Sequence, residues 1–135
     1  MGRYIRKQLS LLPEKIILKI FSQICLGLAY LHSERIMHRD IKTTNIFLKK
    51  NHEIRIGDFG ITKRLPLKRD YLTELIGTPC YLSPELLKDQ KYNDKNDIWG
   101  LGCVLYEMCK QSKPFKAKRE DELQRMIVKS NLKKL

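Results

Sequence analysis

The 135-residue sequence predicts a mainly helical domain with one small strand pair and one long irregular segment. Apolar side chains recur with helical spacing over residues 14–33, 96–110 and 119–130, and these stretches indicate the helices. Short β-rich stretches between residues 35 and 58 indicate the strands. Hydrophobic residues make up 42% and charged residues 31% of the chain, which is the balance of a globular domain with a buried core.

The first long pattern covers residues 14–33. Its apolar positions predict an amphipathic helix of about five turns, and Pro13 suits a position in the first turn. These positions are Ile16, Ile17, Ile20, Phe21, Ile24, Leu28 and Leu31. A shorter helix is predicted ahead of it, within residues 3–9.

Three short stretches after this helix are predicted to be extended, namely "RIMH", "NIFLKK" and "EIRIGD". Residues 50–53 fit the loop of a hairpin between the last two. Residues 61–95 contain three prolines and no sustained periodicity, so they predict an irregular segment with at most a short helix at 84–88. An irregular segment of this length within a domain is usually either functional or disordered.

Two helices are predicted in the last third of the chain. Residues 96–110 are apolar on nearly every side, which predicts a helix that is buried on most sides, with Asp97 as the acid of its first turn or its cap. Residues 119–130 form an amphipathic pattern with acidic residues at the start and basic residues at the end, as the helix dipole favours.

The formal net charge is +12, from 27 Lys and Arg residues against 15 Asp and Glu residues. Such a charge attracts anions. The basic residues are spread along the chain and are not interleaved with aromatic residues, so nucleic acid is not the expected partner. A solvated, lysine-rich surface is the simpler interpretation.

The cysteine pattern and the apolar runs bear on cellular location. The four cysteines form no CxxC pair and predict reduced packing residues, which favours the cytosol or the nucleus. No uninterrupted apolar run approaches the ~20 residues of a membrane span, and the N-terminus lacks the apolar core of a secretory signal. The sequence therefore predicts a soluble, cytoplasmic protein without a membrane partner.

Two short stretches carry the residues of phosphoryl transfer, "MHRDIKTTNIFL" at 37–48 and "IGDFG" at 56–60. That reaction needs an acceptor for the proton of the attacking hydroxyl, a divalent cation for the triphosphate, and positive charge near the migrating group. Asp40 can accept from the hydroxyl and Lys42 can contact the γ-phosphate. Asn45 and Asp58 can offer the oxygen ligands that Mg²⁺ prefers. ATP with Mg²⁺, or with Mn²⁺ in its place, is the expected cofactor.

The full set of motifs, in this order along the chain, resembles a eukaryotic protein kinase. It comprises His38-Arg39-Asp40, Lys42, Asn45, Asp58-Phe59-Gly60 and Pro84-Glu85. The resemblance implies the helical C-terminal lobe of the kinase fold, with a small β-hairpin and a long activation segment, and without the N-terminal lobe. It assigns residues 1–135 to a partial kinase domain, from about helix D to about helix G, with the activation segment at 58–85.

Three further stretches narrow the resemblance to the NIMA-related (NEK) serine/threonine kinases: "HRDIKTTNIFL", "IGTPCYLSPEL" and "NDIWGLGCVLYEMC". Lys42, two residues after Asp40, is the pattern of serine/threonine kinases, and Ile61 after the Asp-Phe-Gly motif leans toward threonine acceptors. Cys80 replaces a tyrosine of the family pattern and Asn96 replaces a serine.

The resemblance also implies roles for residues outside the phosphate-contacting set. Arg39 and Thr78 join the catalytic group, and Thr78 is expected to contact Asp40 and Lys42. Phe47 is expected to lie under the adenine. The regulatory spine would include His38 and Phe59, and Asp97 would hold the backbone of the His38–Arg39 turn.

Glycines and one acid complete the expected set. Gly57 and Gly60 are expected to free the backbone around Asp58. Glu85 is expected to be the closing acid of the activation segment. The arginine that pairs with this acid in the family lies late in the lobe, so Glu85 is expected to lack that partner here.

One position departs from the family pattern in an informative way. NIMA-related kinases usually have a phosphorylated Ser or Thr three residues before the glycine at position 77, where this chain has Glu74, with Thr73 beside it. One hypothesis is that the Glu74 carboxylate pairs with Arg39 and orders the loop without phosphorylation. The alternative is a solvated loop glutamate.

Three functions are consistent with these observations. The first is transfer of the ATP γ-phosphate to Ser or Thr hydroxyls of protein substrates, with threonine favoured and with an activating or scaffold protein as a further partner. The second is a non-catalytic docking module derived from a kinase, and the third is a nucleic-acid or microtubule-surface binder. Because none of the seven glycines is part of a GxGxxG motif, the chain alone is expected to be a weak or inactive kinase. The resemblance adds the centrosome, the cytoskeleton or the nucleus as alternative locations.

Overall fold

A computed structural model describes residues 1–65 and 71–130. It has five α-helices within these ranges: α1 (Gly2–Arg6), α2 (Glu14–Ser33), α3 (Pro84–Leu87), α4 (Lys95–Lys110) and α5 (Glu120–Val128). The strands are β1 (Ile36–Met37), β2 (Ile46–Leu48), β3 (Ile54–Ile56) and β4 (Lys63–Arg64). The predicted mainly helical domain with a small β-hairpin is confirmed. Residues 66–70 of the predicted activation segment, and residues 131–135, lie outside the described residues.

Helix α2 has the predicted bounds, and its apolar stripe forms one wall of the core. Ile20 and Ile24 are fully buried, and the stripe packs in one cluster with Val104 and Met108 of helix α4. Pro13 is the N-cap residue rather than a first-turn residue, and its carbonyl accepts from the backbone N–H groups of Ile16 and Ile17. Proline suits this position because it has no N–H group of its own to satisfy.

By length and composition alone, helix α2 could cross a membrane, and 22% of its most apolar 18-residue stretch is buried in the structure. This is weak evidence, since the core helix of a soluble protein passes the same test. The helix also carries Glu14, Lys15 and Lys19 in its first two turns, and its buried stripe is occupied by the core described above.

Helix α4 runs through the interior, as its nearly uniform apolar character predicts, although Ile98 and Gly102 face solvent. Gly100 lies where the chain segment around Ile41 crosses the helix. A Cβ atom at Gly100 would lie 2.8 Å from the Ile41 carbonyl oxygen, so only glycine permits this approach. The close crossing places the loop of residues 37–45, called the catalytic loop below, directly on α4.

Strands β2 and β3 form the predicted hairpin, with Phe47 opposite Arg55 and a turn over Lys50–His52. A second antiparallel pair joins β1 to β4, with Met37 opposite Lys63. The prediction of a single strand pair was therefore wrong. Strand β1 lies within the stretch "RIMH", which was predicted to be extended, but strand β4 and the pairing of the two strands were not predicted.

The C-terminal helices are close to their predicted positions. Helix α3 falls within the short helix predicted at 84–88, and α5 begins with three acidic residues and buries Ile127. A 3₁₀ turn at Pro79–Tyr81 lies ahead of α3. These short elements bring the segment after residue 71 back to the catalytic loop.

Candidate active site

Asp97 holds the start of the catalytic loop from inside helix α4. Its carboxylate is buried and accepts from the backbone N–H of His38 at 2.9 Å and of Arg39 at 2.8 Å. The ring of His32 donates to the same carboxylate at 2.8 Å. Arg39 has φ +68°, a left-handed conformation that is uncommon for non-glycine residues. The contacts of Asp97 match those that the resemblance implied, and they fix this unusual turn.

Asp40, Lys42 and Thr78 form a closed triangle of hydrogen bonds. The Lys42 ammonium donates to Asp40 Oδ2 at 2.6 Å and to Thr78 Oγ1 at 2.7 Å. The Thr78 hydroxyl in turn donates to Asp40 Oδ1 at 2.7 Å. The side-chain amide of Asn45 donates to Asp40 Oδ2 at 2.9 Å and to the Asp40 carbonyl at 3.0 Å. The structure thus brings together all four of these predicted residues.

The pKa of Asp40 lies below its ordinary value. Partial burial raises the pKa of this carboxyl, but the hydrogen bonds from Lys42, Thr78 and Asn45 outweigh the burial. Asp40 is therefore ionised throughout the neutral range. A carboxylate of this kind can accept and orient a hydroxyl hydrogen bond, and the adjacent Lys42 supplies positive charge.

Asn45 and Asp58 lie on neighbouring segments that a backbone hydrogen bond joins. The N–H of Gly57 donates to the Asn45 carbonyl at 2.9 Å. Both hydrogens of the Asn45 amide point to Asp40, which leaves its Oδ1 as a free acceptor, and the Asp58 side chain is exposed. In the described part of the chain, no group of three or more His, Cys, Asp or Glu residues is arranged so that it could hold a metal ion. An amide oxygen and one carboxylate fit Mg²⁺, because Mg²⁺ takes few protein ligands when it also binds phosphates.

The glycines beside Asp58 do not have the role that the sequence suggested. The left-handed backbone conformation is at Asp58 itself, with φ +66°. Gly57 has no side chain because a Cβ atom there would lie 2.7 Å from the ring of Phe47. At Gly60 a Cβ atom would make an ordinary contact, 3.5 Å from Asp58 Oδ1. The expectation that both glycines free the backbone is therefore wrong.

Phe47 and Phe59 present apolar surface on either side of Asp58. Phe47 is 55% exposed and covers Gly57, as a residue placed to lie under a flat ligand would do. Phe59 packs on the ring of His38, with 5.1 Å between the ring centroids. The buried His38 ring also donates to the Gly57 carbonyl at 3.0 Å. The contact between His38 and Phe59 matches the spine pair that the resemblance implied.

Arg39 joins three parts of the site through its side chain. The guanidinium donates to the Ile61 carbonyl at 2.6 Å and to the Glu74 carboxylate at 2.5 Å. Lys63 donates to the other oxygen of Glu74 at 3.1 Å. The Arg39 side chain is 6% exposed and that of Glu74 is 51% exposed. Glu74 is thus paired with two cations, and not simply solvated as the alternative interpretation held.

Thr73 and Glu85 have no comparable contacts. Thr73 is exposed next to Glu74. Glu85 lies in helix α3, and its carboxylate makes no hydrogen bond or ion pair with another residue of the described ranges.

Sequence reasoning missed several residues that complete the site. His32 and Lys63 are in contact with Asp97 and Glu74, and the Tyr92 hydroxyl donates to the Glu74 carbonyl at 3.0 Å. These contacts join residues far apart in the chain, and a single His, Lys or Tyr carries no motif that could reveal them.

Comparison with known protein families assigns the chain to a family whose motifs match the geometry of this site. The profile of the family described as "Protein kinase domain" matches residues 1–135. The chain therefore belongs to the protein kinase family, as the order of its motifs predicted.

The relatives identify the branch of that family. Mouse (Mus musculus) serine/threonine-protein kinase Nek3 is 44% identical over 117 residues, which cover 87% of this chain and 23% of that protein. Human (Homo sapiens) Nek5 is 46% identical over 130 residues, covering 96% of this chain and 18% of that protein. Zebrafish (Danio rerio) Nek8 is 52% identical over 116 residues, covering 84% of this chain and 16% of that protein. The resemblance to NIMA-related kinases is confirmed, and the chain spans less than a quarter of the length of these relatives.

Proposed function

We propose that this chain is the catalytic part of a serine/threonine kinase, which transfers the ATP γ-phosphate to Ser or Thr hydroxyls of proteins. The observation that carries the proposal is the closed triangle of Asp40, Lys42 and Thr78, braced by Asn45. Its members lie up to 38 residues apart in the chain. A purely structural loop does not need a carboxylate, an ammonium, an amide and a hydroxyl to meet at one partly buried point.

Each side chain has a distinct task in the proposed reaction. Asp40 accepts a hydrogen bond from the substrate hydroxyl and orients it for attack. Lys42 offers its positive charge to the migrating phosphoryl group, and Thr78 fixes both. Asn45 and Asp58 would hold Mg²⁺ or Mn²⁺, which neutralises phosphate charge when bound. Phe47 would support the adenine.

We propose that the chain forms the helical lobe of the kinase, with its activation segment at 58–85. The supporting observation is that the 135 residues contain no GxGxxG motif and no strand lysine of the VAIK type. Those parts stabilise the phosphates in kinases. We therefore expect weak turnover from these residues alone, and a large gain when an activating partner or a further segment supplies them.

The proposed substrates are proteins, and the proposed location is the cytoplasm, with the centrosome, cytoskeleton or nucleus as alternatives. Ile61 after the Asp-Phe-Gly motif supports a preference for threonine acceptors. A peptide pair that differs only in Ser or Thr at the acceptor position would measure this preference. The reverse preference would contradict it.

The first test is calorimetric titration of Mg²⁺·ATP into the 135-residue chain and into Asp58→Asn. Asp89→Asn is the matched control, since Asp89 is also exposed and also left-handed, with φ +51° against +66° for Asp58. We expect the wild type and Asp89→Asn to bind equally, and Asp58→Asn to lose at least about tenfold in affinity, as loss of one charged ligand to a cation predicts. Equal binding by all three would contradict the assignment of Asp58.

A non-catalytic docking module is the second candidate function. The observation that favours it is the exposed apolar surface of helix α2, where Leu18, Leu26 and Tyr30 are 57%, 71% and 66% exposed. Absence of any nucleotide binding in the titration would support this candidate over the kinase.

We further propose that Glu74 orders its segment without phosphorylation. The ion pairs to Arg39 and Lys63 support this, and the hydrogen bonds from these two residues hold the pKa of Glu74 below its usual range. Because the pKa of Glu74 is lowered, the order that its carboxylate gives the segment is fully present at pH values above the usual pKa of 4.5. This order is lost only as the pH falls through the lowered pKa. A phosphate group would instead change its charge near pH ~6.

Hydrogen exchange over residues 71–78 tests the proposal that Glu74 orders its segment. We expect Glu74→Gln to exchange several-fold faster than the wild type, because the neutral amide cannot hold two cations, and Thr73→Val to change little. Protection in the wild type should be constant between about pH 5.5 and 7.5, after correction for intrinsic exchange. Unchanged exchange in Glu74→Gln would show that the pairing does not order the segment.

A further inference from the structure

A buried carboxylate lies beneath the catalytic loop and has no role in the site described above. Glu107 is on helix α4 and is 8% exposed. The Thr43 hydroxyl donates to Glu107 Oε2 at 3.1 Å, and the Tyr81 hydroxyl donates to Glu107 Oε1. Thr43 Oγ1 and the Tyr81 oxygen are 3.2 Å apart. The Lys113 ammonium lies over the Tyr81 ring, 5.9 Å from its centroid, but within the described residues the hydrogen bonds to the Glu107 carboxylate come from the two hydroxyls and not from a basic group.

The protons of this cluster can be assigned. Burial, together with the hydrogen bond to Glu107, raises the pKa of Tyr81, so the phenol keeps its proton and is a donor. Each hydroxyl has one proton, and each gives it to a different oxygen of Glu107. The carboxylate therefore has both oxygens satisfied by neutral donors, as a buried charge requires.

The two hydroxyls come from two different segments of the proposed site. Thr43 directly follows Lys42 in the catalytic loop. Tyr81 ends the 3₁₀ turn at Pro79–Tyr81, and its N–H donates to the Thr78 carbonyl at 2.8 Å. The cluster thus ties the segment that carries Thr78 to the loop that carries Lys42, at one point on helix α4.

We propose that Thr43, Tyr81 and Glu107 are positioning residues, which hold Thr78 at hydrogen-bond distance from Asp40 and Lys42. This rests on the proposed function, in which Thr78 fixes those two groups. Val, Phe and Leu at positions 43, 81 and 107 would fill a similar space without burying a charge. A role in packing alone therefore does not account for the cluster, whereas a directional link between two loops does.

The first test measures the position of the Thr78 segment without any need for turnover. Cys80 lies within the 3₁₀ turn and is 8% exposed, so its alkylation by iodoacetamide requires the turn to open. We expect Thr43→Val to raise the rate of Cys80 alkylation roughly 5- to 30-fold, the effect of losing one buried hydrogen bond on a local opening equilibrium. Peptide mass spectrometry assigns the modified cysteine.

Two controls separate local from global loosening. Thr44→Val makes the same chemical change one residue further along, at an exposed side chain, and should leave the rate unchanged. Cys25 on helix α2 is partly buried against the core and remote from the cluster in sequence, and its rate should be the same in every variant. Equal Cys80 rates in Thr43→Val and Thr44→Val would overturn the proposal, and so would a parallel rise at Cys25.

The second test asks whether Thr43 acts through Thr78. We expect Thr43→Val to lower kcat/KM for a peptide substrate about tenfold in the wild-type background and to have no further effect in a Thr78→Ala background. The same loss in both backgrounds would show a structural role instead and would overturn the proposal. Absence of any turnover in the wild type would count against the proposed function, while the Cys80 rates would still decide the positioning role.

Discussion

The two sides of the candidate site differ in how they are held. On the side that would meet the substrate hydroxyl, Asp40, Lys42 and Thr78 are locked by hydrogen bonds within the chain. On the side that would meet the nucleotide, Phe47 and Phe59 are 55% and 47% exposed.

The two sides therefore differ in whether contacts within the folded chain fix their side chains. Groups that hydrogen-bond one another keep their geometry without a ligand, whereas exposed rings and an exposed carboxylate take a fixed position only when something covers them. We therefore expect mutations on the first side to lower stability, and mutations on the second to act mainly on ligand binding. The first two predictions below test this contrast, and the third concerns the start of helix α3, outside both sides; they are given in order of decreasing effect.

The largest effect is expected at Asp97. Asp97→Ala leaves two buried N–H groups and His32 without their acceptor, so we expect the free energy of unfolding to fall by about 3–5 kcal/mol in a urea titration. The control is Asp94→Ala, at a side chain that is 38% exposed near the start of the same helix, and it should cost less than about 1 kcal/mol. Equal losses would show that the catalytic loop is not held from α4.

Smaller effects on the free energy of unfolding, of opposite sign, are expected for alanine substitutions at two glycines. Gly57→Ala puts a methyl group 2.7 Å from the exposed ring of Phe47. The ring can swing away, so we expect a loss of about 1 kcal/mol in stability, with weaker binding of Mg²⁺·ATP. Gly102→Ala is the matched control, because a Cβ atom there meets nothing within 4 Å. Within helix α4 it should stabilise by about 0.5–1 kcal/mol. Losses of the same sign at both positions would contradict the crowding at Gly57.

The smallest effect is expected at Ser83. Its hydroxyl is buried without a hydrogen-bond partner in the described residues, although Ser83 is the N-cap residue of helix α3. Since no cap bond is made, Ser83→Ala should be neutral or stabilising by up to about 1 kcal/mol. Thermal unfolding would measure this, and a loss of more than about 1 kcal/mol would reveal a cap that the structure does not show.

Local patterns predicted the helices well. Helix α2 matches its predicted range because a long stripe with a period of 3.6 residues leaves little ambiguity. The extended stretch that contains β1 was predicted, but its pairing with β4 was not, because two-residue strands form only where folding brings a remote partner beside them.

The candidate site divides in the same way. Asp40, Lys42, Asn45 and Asp58 lie in two short motifs, so their chemistry could be read in one pass along the sequence. Asp97 was expected to hold this loop because the family resemblance implied it, whereas two other contacts were not predicted: His32 of helix α2 with Asp97, and Lys63 of β4 with Glu74. Their contribution is a distance to another residue, and a sequence pattern contains no distances between remote residues.

By itself, then, the sequence determined the helical class, the kinase motifs and the chemistry of their side chains, because each of these depends on residue types at close spacing. The tertiary structure alone decided that Glu74 pairs with Arg39 and Lys63 and that Gly57 makes room for Phe47. It also decided that Glu107 receives the protons of Thr43 and Tyr81. The physical reason is the same in each case. Hydrogen bonds, ion pairs and steric contacts act over a few ångströms, and only folding brings these residues within that range.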